Sequence, residues 1–225
     1  MIPAMKLLAI DTALEACSVG VAAGGGLPVL RSEIIGRGHA ERLFGMLSDA
    51  MAEAGISFDQ LDRIAVTTGP GSFTGVRVGI AAARGLALVT GCPVVGLGTL
   101  DVIAEAARAA HGAVPVLTAI DARRDEVYAQ AFAADGTPLS EPTAGPAANT
   151  RGLLAPGMLL AGSGAALIAA ALESPPSVVT EIATPDLSAL MRLAASAPSP
   201  AGPPRPLYLR PPDAKPQAAF AVARR

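Results

Sequence analysis

Residues 69–75 read GPGSFTG and lie between a predicted strand and a predicted helix. A glycine-rich turn in that position exposes backbone N–H groups at a helix N-terminus, where they can hold an anion such as phosphate. The segment is not a Walker A loop, because no Gly-Lys-Ser/Thr follows at the required spacing. A tight structural turn, with Ser72 or Thr74 capping the helix, explains the same residues. The candidate anion contacts are Gly69, Gly71 and Ser72.

Two aspartates end predicted strands at corresponding places in the chain. Asp11 and Asp121 each follow a short apolar run. A carboxylate there can hold a metal-bound nucleotide or cap the turn that follows. The charged segment at residues 121–126 (DARRDE) could likewise face a cleft or form a solvated turn with local ion pairs. Asp11 is therefore a further candidate nucleotide contact, with the capping role left open.

The sequence offers few residues that could form a metal site or a catalytic nucleophile. The two histidines, His39 and His111, lie on separate predicted elements, so we expect no metal site built on them. The two cysteines, Cys17 and Cys92, lack Cys-x-x-Cys spacing and are expected to be buried thiols. No serine or cysteine has the context of a catalytic nucleophile. The residues therefore assemble no nucleophilic triad and no metal site, and we expect no catalysis of either kind in this chain.

Hydrophobic periodicity predicts a strand-rich opening followed by alternating helices and strands. In order, strands are predicted at 6–12, 16–22 and 28–35, a helix at 39–54, a strand at 62–68, a helix at 76–90, a strand at 93–97 and a helix at 101–110. This is a βββαβαβα unit. A second start follows, with strands at 114–120 and 126–132, a turn at 135–136 and an extended segment from Leu139 onward. Asp121 stands 110 residues after Asp11. The chain therefore contains a duplicated βββ-led unit whose second copy is shorter and degenerate.

The predicted domains follow from this repeat. They are an N-terminal lobe at residues 1–112, a shorter C-terminal lobe at 113–196 and a proline-rich, basic tail at 197–225. Eight prolines between residues 198 and 216 exclude regular helix and favour an extended tail, with one segment docked around Leu207, Tyr208 and Leu209.

Two predicted helices have faces suited to pairing with another chain. The helix at 76–90 carries glycines and alanines that would let a second helix approach closely. Packing within the fold and packing across an interface both explain such a face. Because 51% of the residues are hydrophobic and only 16% are charged, some apolar surface should meet a partner. The predicted interface residues are His39, Leu43, Met46, Leu47, Ala50, Gly75, Val76, Gly79, Ala82 and Ala83.

The net charge and hydropathy of the chain limit the partners and the cellular surroundings that we expect for it. The net charge of −2 gives no field that would attract nucleic acid or an anionic membrane, so RNA contact would come through another subunit. No apolar stretch is long enough to suggest a transmembrane helix, and the N-terminus lacks the pattern of an export signal. We expect a cytoplasmic protein.

Several of these segments together resemble one family. The segments at residues 8–12 (LAIDT), 15–19 (EACSV), 39–43 (HAERL) and 69–79 (GPGSFTGVRVG) are similar to those of TsaB proteins, also called YeaZ-like. The resemblance is good to about residue 132, loose to 195, and returns weakly at 206–210. It implies an α/β fold of the actin-like ATPase type (sugar-kinase/Hsp70/actin), a duplicated βββαβαβα unit that agrees with the repeat.

The resemblance also implies a role. A TsaB protein is the non-catalytic scaffold that pairs with the catalytic subunit TsaD and, with the ATPase TsaE, serves threonylcarbamoyl transfer to an adenosine of tRNA. It implies a homodimer when the chain is alone, pairing through the N-terminal helices, and ATP/ADP with magnesium only in the assembled complex. The chain departs from active actin-like ATPases in having no glycine soon after Asp11. The alternative is a free-standing small-molecule kinase or ATPase of the same fold.

Overall fold

Two five-stranded sheets organise the chain in a computed structural model that describes residues 5–176 and 179–210. The strands are β1 (Lys6–Asp11), β2 (Ala16–Ala23), β3 (Val29–Ile34), β4 (Arg63–Thr67), β5 (Val94–Leu97), β6 (Val116–Asp121), β7 (Glu126–Phe132), β8 (Thr143–Pro146), β9 (Leu159–Ala161) and β10 (Val179–Thr180). The helices are α1 (His39–Ala54), α2 (Phe73–Thr90), α3 (Thr99–His111), α4 (Ala165–Ala170) and α5 (Leu187–Ser196), with short 3-10 helices at Phe58–Gln60 and Ala147–Leu153.

Both sheets have the same strand order. The first sheet runs β3-β2-β1-β4-β5 and the second runs β8-β7-β6-β9-β10. In each, the first three strands of the unit are antiparallel neighbours and the last two run parallel to the first. The duplication predicted from sequence is therefore confirmed. Two copies of a mixed sheet with this connectivity make the α/β fold an actin-like one, with a second copy reduced in its helices.

The helices α1 and α2 cover one face of the first sheet. Helix α1 starts after Gly38 and stops at Gly55, both in the left-handed region that glycine adopts without strain. Its apolar positions recur at three and four residues, so they form one stripe, and that stripe packs with the α2 face against β1, β2 and β4. The two helices thus contribute the largest share of the core on this side.

The helices α3 and α5 lie between the sheets and exchange partners. Helix α3 packs on the second sheet, whereas α5, from the second half of the sequence, packs on β1, β2 and β4 of the first. Glu105 joins them, because its carboxylate accepts a hydrogen bond from Arg192 Nε at 2.7 Å and another from Arg108. This exchange ties the two copies together, and the domain boundaries at 112 and 196 stay a prediction.

Within the described residues, α2 is the single helix long and apolar enough to cross a membrane by length and composition. Its inner face is buried against the first sheet, and its outer face carries Arg77 and Arg84. The inner face of α2 therefore belongs to the protein core, and its outer face is exposed.

The structure departs from the predicted elements mainly in the second copy. The third strand of that copy is β8 at Thr143–Pro146, whereas the sequence predicted extension from Leu139 onward. Residues 133–140 instead form a turn in which Leu139 N donates to Ala131 O at 2.8 Å. The two-residue strand β10 and the 3-10 helix Ala147–Leu153 have no clear periodic pattern and were not predicted.

Candidate functional site

The glycine-rich turn between β4 and α2 is held by its own backbone and by one serine. Ser72 is the N-cap residue of α2, and its hydroxyl accepts a hydrogen bond from Gly75 N at 3.2 Å. Ser72 N donates to Ala13 O at 2.7 Å. Of the two explanations that the sequence left open, the capped structural turn is therefore the one that the geometry supports.

The glycines of this turn are required by close approach to the end of β1. A Cβ at Gly71 would lie 2.3 Å from Ala13 O, and one at Gly75 would lie 2.1 Å from Thr12 O. Thr12 also bonds the two segments together, because its hydroxyl donates a hydrogen bond to Gly75 O at 2.7 Å. A Cβ at Gly79, one turn further along α2, would meet the same hydroxyl at 2.5 Å. The small residues of α2 thus pack against β1 of the same chain.

Asp11 is fully buried beside this contact. One carboxylate oxygen accepts hydrogen bonds from Thr67 Oγ1 at 2.5 Å and from Ala13 N at 3.1 Å. The other oxygen is buried without a hydrogen-bond partner. Burial raises the pKa of Asp11 from 3.8 to about 6, and the two hydrogen bonds oppose that rise. The carboxylate acts here as a cap of the β1–β2 turn.

These residues do not fit a phosphate cradle with a bound magnesium ion. A nucleotide phosphate would need the open side of the glycines, and the backbone of Thr12 and Ala13 already fills the space against Gly71 and Gly75. Asp11 has no exposed surface and sits behind the turn. The four candidate nucleotide contacts, Asp11, Gly69, Gly71 and Ser72, come together in space, but their contacts are with the protein itself.

A segment near the C-terminus covers the remaining side of the turn. We call residues 204–210 the strap. Leu207 N donates to Thr68 O at 2.8 Å, and a Cβ at Gly69 would lie 2.8 Å from Leu207 O. The docked segment predicted around Leu207 is confirmed. The basic residues Lys215, Arg224 and Arg225, which the sequence also assigned to the tail, lie outside the described residues.

The residues predicted for the partner interface do not lie on the surface of this chain. All ten are buried within this chain, on the inward faces of α1 and α2. His39 shows the reason, because its ring Nε2 hydrogen-bonds Leu14 O at 3.1 Å while the residue is 7% exposed. A small-residue helix face suits a neighbouring sheet as well as a neighbouring helix, and here the sheet occupies it.

The outward faces of the same helices carry the apolar surface that the composition predicts. Phe44 on α1 is 60% exposed, and Leu88 and Val89 near the end of α2 are each 88% exposed. Sequence reasoning missed these three. They stand off the buried helical stripe, so a large apolar residue out of phase with the period is the signal that would have found them.

The turn between β6 and β7 holds the densest charges and is solvated. Arg123, Arg124 and Asp125 all have positive φ angles of 59–64°, a region that residues with side chains adopt at a cost. Asp121 stabilises the turn by accepting a hydrogen bond from Arg123 N at 2.6 Å. Arg123 and Glu15 form an ion pair at 3.7 Å in which both side chains are mostly exposed, so we expect it to contribute little.

Metal-binding groups are dispersed over the described part of the chain. No three His, Cys, Asp or Glu side chains lie together there in a way that could hold a metal ion. Cys17 and Cys92 are both buried and unpaired, and burial raises the pKa of each thiol to about 11. Neither thiol is therefore an activated nucleophile.

Comparisons of the sequence with known proteins found a matching family model and several relatives. The family model described as "TsaD: tRNA N6-adenosine threonylcarbamoyltransferase" matches residues 21–179. The tRNA threonylcarbamoyladenosine biosynthesis protein TsaB of Escherichia coli is 45% identical over 124 residues, which cover 55% of this chain and 53% of that protein. The chain thus spans about half the length of this relative. An uncharacterized protein of Mycobacterium tuberculosis is 39% identical over 214 residues, covering 94% of this chain and 95% of that one.

Solved structures extend the match over most of the fold. YeaZ from Pseudomonas aeruginosa is 33% identical, with a TM-score of 0.75 over 85% of this chain and 91% of that one. A second Pseudomonas aeruginosa structure, described as similar to peptidase YEAZ, is 31% identical, with a TM-score of 0.78 over 92% of this chain and 100% of that one. Together with the repeat and the glycine-rich turn, these matches show that the chain belongs to the TsaB, or YeaZ-like, family.

Proposed function

We propose that this chain is a non-catalytic scaffold subunit in the formation of threonylcarbamoyladenosine in tRNA. The names of the TsaB relatives and the threonylcarbamoyltransferase family model support that pathway. The proposed partner is a TsaD-type catalytic subunit, with a TsaE-type ATPase completing a cytoplasmic complex. The isolated chain forms a homodimer, and it meets tRNA only through the complex, in keeping with its net charge of −2.

One observation carries the non-catalytic part of the proposal. The residues that an actin-like enzyme would turn toward a nucleotide are used here to hold β1, the glycine-rich turn and the strap together. The unpartnered oxygen of Asp11 is the one feature that favours the alternative, a free-standing kinase or ATPase. Because that oxygen is buried with no exposed surface, it supports a structural role better than a ligand contact.

The docking surface follows from the outward faces of α1 and α2. Phe44 belongs to the first helix, and Leu88 and Val89 belong to the second, which packs beside it. Exposed apolar residues on two neighbouring helices can pack against two helices of a related subunit, since both chains would then bury apolar surface. We place the partner on this face, in place of the buried face that the sequence suggested.

Co-purification tests this docking surface. We expect Phe44→Glu with Leu88→Glu to abolish recovery of the TsaD-type subunit from cells of the same organism, because two charges would be buried at the contact. The matched control is Leu139→Glu, since Leu139 is 57% exposed in the second copy and should leave recovery unchanged. Normal recovery with the double variant, or no TsaD-type subunit with the unaltered chain, would contradict the proposal.

A further inference from the structure

The strap passes from one sheet to the other across their strand-end turns. It begins at Pro204, which is buried against Gly96 at the end of β5, where a Cβ on that glycine would lie 2.8 Å from Pro204 Cβ. It continues along Thr68 at the end of β4, to which Leu207 is hydrogen-bonded. The first half of the strap is therefore fixed to the carboxyl edge of the first sheet.

An aromatic contact fixes the middle of the strap to α2. The Tyr208 ring packs against the Phe73 ring in a tilted arrangement, with the ring centroids 5.0 Å apart, and its hydroxyl accepts a hydrogen bond from Arg77 Nε at 2.6 Å. The guanidinium carbon of Arg77 lies 3.7 Å from the Phe73 ring centroid, which adds a cation–π contact. The first turns of α2 thus hold the strap by a side-chain cluster as well as by backbone.

The last residue of the strap reaches the second sheet. Arg210 Nη1 donates to Ala122 O at 2.9 Å, and the same guanidinium forms an ion pair with Glu126. It also lies 5.5 Å from the centroid of the Tyr128 ring. These groups belong to the β6–β7 turn and to β7, so Arg210 connects the strap to the second copy of the fold. The side chain of Arg210 is only 26% exposed, so solvent screens this ion pair less than it screens a pair on the surface.

We propose that the strap is a latch that holds the two lobes in one closed arrangement. Its anchor on the first sheet is Leu207 with Tyr208, and its anchor on the second is Arg210. The exchange of α3 and α5 joins the lobes on the inner side, and the strap joins them at the edge where the strand-end turns meet. Two further described contacts lie at this edge. Glu15 and Arg123 form an exposed ion pair, which we expect to contribute little. Leu14 of the β1–β2 turn packs against the apolar cluster that α3 shares with the second sheet.

Distance measurement between spin labels on the two lobes tests the latch. Labels are placed at Leu27→Cys, which is 96% exposed in the β2–β3 turn, and at Asn149→Cys, which is exposed in the second copy. The native thiols are buried and have a raised pKa, so they should stay unlabelled. We expect one narrow distance in the unaltered chain and a broadened distribution with a longer component in Arg210→Gln.

Two truncations sharpen the test. Removal of residues 204–225 should broaden the distribution as Arg210→Gln does, whereas removal of residues 211–225 alone should leave it narrow. The matched point control is Arg205→Gln, because Arg205 is exposed and forms no hydrogen bond or ion pair within residues 5–176 and 179–210. Amide exchange at residues 122–126 should also quicken on the order of tenfold in Arg210→Gln. Unchanged distances and unchanged exchange in a folded Arg210→Gln protein would overturn the proposal, whether or not the longer truncation folds.

Discussion

In both copies of the fold, the aspartate that ends the first strand accepts a hydrogen bond from the backbone of the turn that follows. In the first, Ala13 N donates to the Asp11 carboxylate, and in the second, Arg123 N donates to that of Asp121 at 2.6 Å. Each copy also packs a glycine turn on its first strand, because a Cβ at Gly162 would lie 2.1 Å from the carbonyl oxygen of Ala119. The second copy has these two contacts although no long helix follows its glycine turn. The contacts are therefore a requirement of the fold.

The copies differ in burial and in helix length. Asp11 is buried, whereas Asp121 is exposed. Between the third and fourth strands the first copy has the 16-residue α1 and the second has a seven-residue 3-10 helix. After the glycine turn, α2 has 18 residues and α4 has six. The first copy therefore carries extra helical surface, and the difference points to α1 and α2 as the part of the molecule available for a partner.

Alanine substitutions at the glycine turns give the largest expected effect. We expect Gly75→Ala and Gly162→Ala each to lower the free energy of unfolding by about 3 kcal/mol, because the added Cβ meets a backbone oxygen in both copies. Gly85→Ala is the matched control, since a Cβ there meets nothing within 4 Å and should raise stability by about 0.5–1 kcal/mol. Urea denaturation measures all three. Unchanged stability in Gly75→Ala alone would break the likeness between the copies.

The two aspartates should differ in how they make stability depend on pH. The unfolded carboxyl of Asp11 has its ordinary pKa of 3.8, and the folded one has a pKa of about 6, so the folded state holds more protons between these values. Its contribution to stability is therefore fully present below pH 3.8 and falls as pH rises to about 6. Relative to wild type, Asp11→Asn should gain stability between pH 4 and pH 7, on the order of 2 kcal/mol.

Asp121→Asn is the control for that comparison. Because Asp121 is exposed, its substitution should leave the pH dependence of the unfolding free energy unaltered between pH 4 and pH 7. Denaturation curves at several pH values measure both variants. If the unfolding free energy of Asp11→Asn changed with pH as steeply as that of wild type, the burial of Asp11 would not control the pH dependence.

The sequence predicted the elements better than their exposed faces. The repeat, α1 and the turn before α2 follow from local periodicity and from Asp11 and Asp121 at matching places. The exposed face of α2 could not be predicted in this way, because glycines and alanines pack equally well on a sheet or on a helix. The contacts of Arg210 were also beyond prediction, since they join residues more than 80 positions apart that only the folded chain brings together.

Threonylcarbamoylation of tRNA by the reconstituted TsaD- and TsaE-type subunits tests the central claim most directly. With this chain supplied as wild type, as Asp11→Asn, or as Phe44→Glu with Leu88→Glu, we expect the first two to support the reaction equally. The third should support none, because in our proposal the outward faces of α1 and α2 bind the partner and the Asp11 carboxylate only stabilises the fold. Loss of activity in a folded Asp11→Asn chain that still binds its partner would contradict the account and favour a catalytic role for the first copy.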